Sequence, residues 1–108
     1  MTKLLVCGSR NKNYGFMVRQ VLSKIEFTEL VSGACKDSAD EYAEEYCRTK
    51  NIPIKSFPGE KGTFLKRNIE MVQYCDEILA FWDGFSYGTA HTIATAGVYN
   101  KSIRIIKI

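Results

Sequence analysis

The chain has little of several things, and each scarcity narrows what it can be. Among 108 residues there are two prolines and one histidine. The four cysteines, Cys7, Cys35, Cys47 and Cys75, stand far apart with no C-x-x-C pair. Zinc sites use closely spaced ligand pairs, so that spacing offers no metal centre, and reduced thiols are expected. No run of like charge exists, and the net charge of +3 is scattered along the chain. A basic face for nucleic acid is therefore not expected. No apolar stretch approaches the ~20 residues of a membrane span. The apolar run in "MTKLLVCGSR" is too short for a signal peptide, which predicts a cytoplasmic protein with no membrane partner. Finally, no Gly-Lys-Ser/Thr occurs, so a nucleoside-triphosphate P-loop is excluded.

What is present is ordinary for a globular protein: 45% hydrophobic and 25% charged residues. The length predicts one domain over residues 1–108. Short apolar runs alternate with helical periodicity. Strands are expected at Lys3–Ser9, Glu29–Ala34, within "IPIKSFP", at Glu77–Trp82 and at Ser102–Ile108. Helical spacing joins Phe16, Met17, Val21, Leu22 and Ile25. Asp37–Lys50 carries Ala39, Tyr42, Ala43, Tyr46 and Cys47 on one face and charge on the other. Its N-terminus has Asp37 or Ser38 as cap, with Glu41 completing a capping box. Gly59–Thr63 reads as a flexible loop, Phe64–Tyr74 as a helix, and Thr89–Tyr99 as the last helix with Thr89 its N-cap. Five strands alternating with four helices predict a parallel α/β sheet covered on both faces.

In such sheets ligands bind beyond the carboxyl ends of the strands, where strand order reverses. Three small-residue loops belong at that edge: Gly8-Ser9, Ser32-Gly33-Ala34, and Gly84 to Thr89. Glycine lets backbone approach a ligand, and a helix N-terminus favours an anion. Arg10 and Arg67 are placed to grip phosphate with paired hydrogen bonds, and for Arg10 a solvated surface role is equally open. Asp83 either meets ribose hydroxyls or acts as a base, or else forms a turn before Gly84. Asp40 lies at the same edge, or is simply a first-turn helix carboxylate. His91 is placed to touch a phosphate or base edge, and Trp82 and Phe85 to stack on a base, unless Trp82 simply finishes the core strand.

"LVCGSR", "LVSGACKDSADEYAEEYC", "RNIEM" and "CDEILAFWDGFSYGT", in this order, resemble the SLOG superfamily of Rossmann-like domains. The likeness spans essentially the whole chain and is nearest to a small stand-alone group related to YpsA. It implies a Rossmann-like three-layer sandwich and a homo-oligomer. The Lonely guy proteins, better understood relatives, cleave the N-glycosidic bond of a nucleoside 5′-monophosphate. Their helix arginine corresponds to Arg67, in the motif shared with Asn68, and their Gly-Thr to Gly88-Thr89. Their catalytic glutamate falls at Thr92 here. The glycosidic transition state is oxocarbenium-like and calls for a carboxylate, which threonine lacks.

The expected function is therefore binding of a nucleotide or nucleotide derivative, as a sensing or sequestering module. The expected ligand set is Gly8, Ser9, Arg10, Ser32, Gly33, Asp40, Arg67, Asn68, Asp83, Gly84, Ser86, Gly88, Thr89 and His91. The alternative is a nucleoside-monophosphate N-glycosidase or related hydrolase, with Arg67 and Asp83 (or Asp40) carrying the chemistry. No cofactor is called for.

Overall fold

The computed structural model describes residues 1–10, 13–60 and 62–108. Lys61, inside the predicted loop at Gly59–Thr63, lies outside the described residues, as do Asn11 and Lys12.

Among the described residues nine elements alternate: β1 (Lys3–Gly8), α1 (Gly15–Leu22), β2 (Glu29–Ser32), α2 (Ala39–Thr49), β3 (Ile54–Ser56), α3 (Phe64–Tyr74), β4 (Glu77–Trp82), α4 (Tyr87–Val98) and β5 (Ser102–Lys107). The strands form one sheet in the order β3-β2-β1-β4-β5, and every neighbouring pair is parallel. This is a Rossmann-like arrangement, with the order reversing between β1 and β4.

The apolar strands explain the layers. β1 and β4 lie inside the sheet and are buried on both faces, which requires continuous apolar runs rather than alternation. Leu4 and Val6 point to one side, where Tyr14, Val18 and Leu22 of the α1 region and Ala39, Ala43 and Cys47 of α2 cover them. Leu5 and Cys7 point to the other, against Met71 and Val72 of α3 and Ala96 of α4. β5 is an edge strand, and its exposed positions fit that place. The four cysteines are free thiols. Burial pushes the Cys47 and Cys75 thiols up to about 11 and Cys7 higher still, so these three stay protonated and pack as small apolar groups. No helix among the described residues is long and apolar enough to cross a membrane.

The helix boundaries carry one correction. α4 begins at Tyr87, two residues before the expected Thr89, and Ser86 holds the N-cap position. Asp83 shapes the turn just before it: its Oδ1 accepts the N–H groups of Phe85 and Ser86, each at 2.8 Å. Thr89 falls inside the first turn of the helix. α2 begins after Ser38, whose Oγ accepts the Asp40 N–H at 3.2 Å.

Candidate functional site

A cleft of about 370 Å³ opens at the carboxyl ends of β1 and β4, the point where strand order reverses. Its floor is Cys7, Gly8 and Met71, and one wall is Asp40 with Cys35. The opposite wall is the first turn of α4, from Ser86 to Thr89 together with Thr92. Arg10, Phe64, Leu65, Arg67 and Asn68 complete the lining. Of the predicted set, Gly8, Arg10, Asp40, Arg67, Asn68, Ser86, Gly88 and Thr89 meet here. Ser9, Ser32, Gly33, Asp83, Gly84 and His91 do not line this cleft, and each of them has a describable place nearby.

Ser9 is fully buried and ties two strand ends together. Its N–H donates to the Phe81 carbonyl at 2.9 Å, and its Oγ accepts the Asp83 N–H at 3.0 Å. Gly8 is needed for close packing, since a Cβ there would meet Tyr14 Oη at 2.7 Å and both Ala39 Cβ and the Phe81 carbonyl at 2.8 Å. Ser32 Oγ donates to Glu44 Oε2 at 2.6 Å and accepts the Ala34 N–H at 3.1 Å, which shapes the loop after β2. Gly84 has φ +88°, the left-handed conformation that glycine adopts without strain, and so permits the turn after Asp83.

Arg67 reaches across the cleft's back. Its Nη1 donates to the carbonyls of Gly33 (2.7 Å) and Phe57 (3.2 Å), and Nε donates to Asn68 Oδ1 at 3.0 Å. Its Nη2 stands 3.9 Å from the Cys35 sulfur, a weak acceptor. The guanidinium also lies 5.5 Å from the centre of the Phe64 ring. Gly33 is small for this reason: a Cβ would stand 2.6 Å from Arg67 Nη1 and 3.0 Å from Asp40 Oδ2. The arginine thus braces the loops after β2 and β3 while holding a cation at the cleft.

Asn68 continues the chain of contacts. Its Oδ1 is taken by Arg67, so its amide nitrogen faces His91 Nδ1, 3.4 Å away. An amide N–H can only donate, so Nδ1 accepts and Nε2 carries the hydrogen. His91 therefore links α4 to α3.

Asp40 is 5% exposed and holds the Cys35 N–H on Oδ2 at 3.2 Å. Burial raises its pKa to about 6, against the Cys35 hydrogen bond and the charge of Arg67, which both pull it down. A carboxyl of this kind can give or take a proton near neutrality. Asp83 differs, because its Oδ1 is engaged by two backbone N–H groups.

The α4 terminus provides the anion-facing element. The first bond of the helical ladder runs from the Ala90 N–H to the Ser86 carbonyl at 3.1 Å, which leaves Tyr87, Gly88 and Thr89 ahead of it. Such leading N–H groups favour negative charge. Gly88 is exposed, and a Cβ there would meet no atom within 4 Å, so the space on that side of the first turn is open. Thr92 Oγ1 donates back to the Gly88 carbonyl at 3.2 Å.

The two aromatics expected to stack on a base lie off the cleft. Trp82 donates its Nε1–H to the Ser86 carbonyl at 3.1 Å, and Phe85 is 90% exposed; neither lines the cleft. Phe64, Leu65 and Tyr87 do, each with an exposed apolar surface. The signal for them was the apolar pair opening the arginine helix, "TFLKR". Among the described residues no group of three His, Cys, Asp or Glu side chains could hold a metal.

No protein-family model matches this chain, and no curated protein matches it. Among solved structures, the X-ray structure of TM1055, a structural-genomics target, matches at a TM-score of 0.75 with 16% identity. The match covers 95% of this chain and 72% of that one. At such identity the likeness is one of fold.

Proposed function

We propose that this chain binds a nucleotide or nucleotide-derived small molecule, with the phosphate at the first turn of α4, as a sensing or sequestering module. The observation that carries this reading is the exposed, unobstructed Gly88 in the first turn of α4, lining a cleft that also presents a cation and an apolar wall. Phosphate would take the leading N–H groups of Tyr87, Gly88 and Thr89. The Nη2 edge of Arg67, paired only weakly to sulfur, would turn to it, and Arg10 would close over it. A base would lie against Phe64, Leu65 and Tyr87, since every base has an apolar face. The Rossmann-like fold agrees with membership of the SLOG superfamily, which is part of the same proposal. So are a cytoplasmic setting, self-association, and a ligand that is neither nucleic acid nor membrane.

A second reading is favoured by Asp40 alone. With a pKa near 6 inside the cleft, it is the carboxyl suited to proton transfer in hydrolysis of a nucleoside monophosphate. It would stand in for the glutamate that Thr92 replaces. Asp83 serves this reading less well, because its carboxylate braces the turn.

The binding reading is tested by thermal unfolding with a panel of nucleoside monophosphates. A ligand at 100 times its Kd adds about 2.7 kcal/mol to stability. The decisive variant is Gly88→Asp. A carboxylate in the first turn favours the helix yet repels a phosphate, so the variant should remain folded and lose the nucleotide-induced rise in Tm. A rise undiminished in Gly88→Asp places the ligand elsewhere. Release of free base by the wild type, lost in Asp40→Asn, is the result that would move the conclusion to the enzyme.

A further inference from the structure

A second groove of about 430 Å³ runs on from the first, and Arg10, Cys35 and Phe64 line both. Gly33, Ala34, Pro58 and Gly59 supply much of its lining, with the Gly33 carbonyl held by Arg67 and the Ala34 N–H by Ser32. Lys36 and Asp37, both exposed, line it as well. The wall from β2 to α2 is held in a set shape. Ala34 (φ 59°) and Asp37 (φ 55°) both adopt the left-handed conformation, which is costly for residues with a Cβ. The bonds from Ala34 N–H to Ser32 Oγ and from Cys35 N–H to Asp40 Oδ2 hold the segment there.

Each groove alone is of ligand size, since small-molecule pockets run from about 300 to 1,000 Å³. A ligand confined to the first groove would leave the second empty. From this continuity we infer that the ligand is two-part: a nucleoside diphosphate carrying a second sugar or sugar-like half. This rests on the nucleotide reading above and names its substrate class. The nucleoside half lies against Phe64, Leu65 and Tyr87, and the linking diphosphate passes Arg10 where the grooves meet. The second, hydroxylated half sits in the second groove beside Lys36, which draws in the diphosphate's charge. Hydroxyl groups suit this groove because the Asp37 carboxylate in its lining can accept from them, whereas an apolar group would only strip water from that charge.

Calorimetric titration of the intact chain separates the cases with two probe pairs, AMP against ADP-ribose and UMP against UDP-glucose. The expected result is that, in at least one pair, the two-part probe binds ten times tighter or better. Lys36→Glu, an exposed change that leaves the first cleft untouched, should remove that gain and leave the mononucleotide affinity as it was. Equal affinities within every binding pair, or a gain that survives Lys36→Glu, overturn the two-part ligand and leave the mononucleotide reading standing. Absence of binding by all four probes overturns both.

Discussion

The loops after β2 and β4 look alike in sequence: small residues, a glycine, then a helix N-terminus. In the tertiary structure they do opposite things. The β2 loop uses its polar groups on itself, through Ser32 to Glu44, Ala34 to Ser32, and Cys35 to Asp40. Its glycine, Gly33, is pressed against the Arg67 guanidinium. The β4 loop is braced from outside the helix by Asp83, which leaves Gly88 facing empty space. A glycine before a helix therefore signals either tight packing or an open approach, and only its neighbours say which.

The same substitution at the two glycines should break this contrast most sharply. Gly33→Ala forces a methyl into a bonded guanidinium and is expected to destabilise by about 1–3 kcal/mol, the usual range for overpacking. Denaturant midpoints measure it. An unchanged midpoint would mean that Arg67 swings away freely and does not brace the loop.

Of comparable size is the pH response of Asp40. Its folded pKa near 6 lies above the ordinary carboxyl value of about 4. Between those values the folded state holds more protons than the unfolded one, so stability falls as pH rises through the window and then levels off. The loss amounts to roughly 2–3 kcal/mol. Asp40→Asn should remove this slope, so the difference in stability between variant and wild type should grow from pH 4 to 6. A difference that stays flat with pH would show that the carboxyl is not held up by burial.

Asp83→Ala removes an acceptor shared by two N–H groups at the head of α4. Losing these turn hydrogen bonds should cost about 1 kcal/mol, or a Tm fall of roughly 4–8 °C. Gly88→Ala gives the smallest effect and the opposite sign. Alanine suits a helix better than glycine, and the added methyl meets nothing, so a gain of about 0.5 kcal/mol is expected. Any loss of stability there would show that the space in front of Gly88 is not open.

Much of the framework was legible because it depends on local pattern. The apolar run at Glu77–Trp82 and the helical spacing at Phe64–Tyr74 gave β4 and α3 with their observed bounds. Alternation of strands and helices gave the parallel sheet, and with it the edge where a cleft forms. The start of α4 was misplaced because Thr89 and Gly88 look like a cap and a breaker. The Asp83 carboxylate instead shapes the turn through Phe85 and Ser86, so that the helix begins at Tyr87. The partners of Arg67, Asn68 and Asp40 were beyond the sequence for a related reason. Arg67 and Gly33 are 34 positions apart, and no local propensity encodes a bond between them.

The sequence by itself determined the elements, their parallel pairing class, and which loops share an edge, because hydrophobic periodicity is a property of neighbouring residues. The tertiary structure alone decided which polar groups in those loops are spent on the fold and which face a ligand. Trp82 turned to the Ser86 carbonyl and Phe64 turned to the cleft, although both are aromatic residues bordering a glycine-bearing loop. A hydrogen-bonding group or an apolar ring takes whichever partner packing brings to it, and packing is set by the whole sheet.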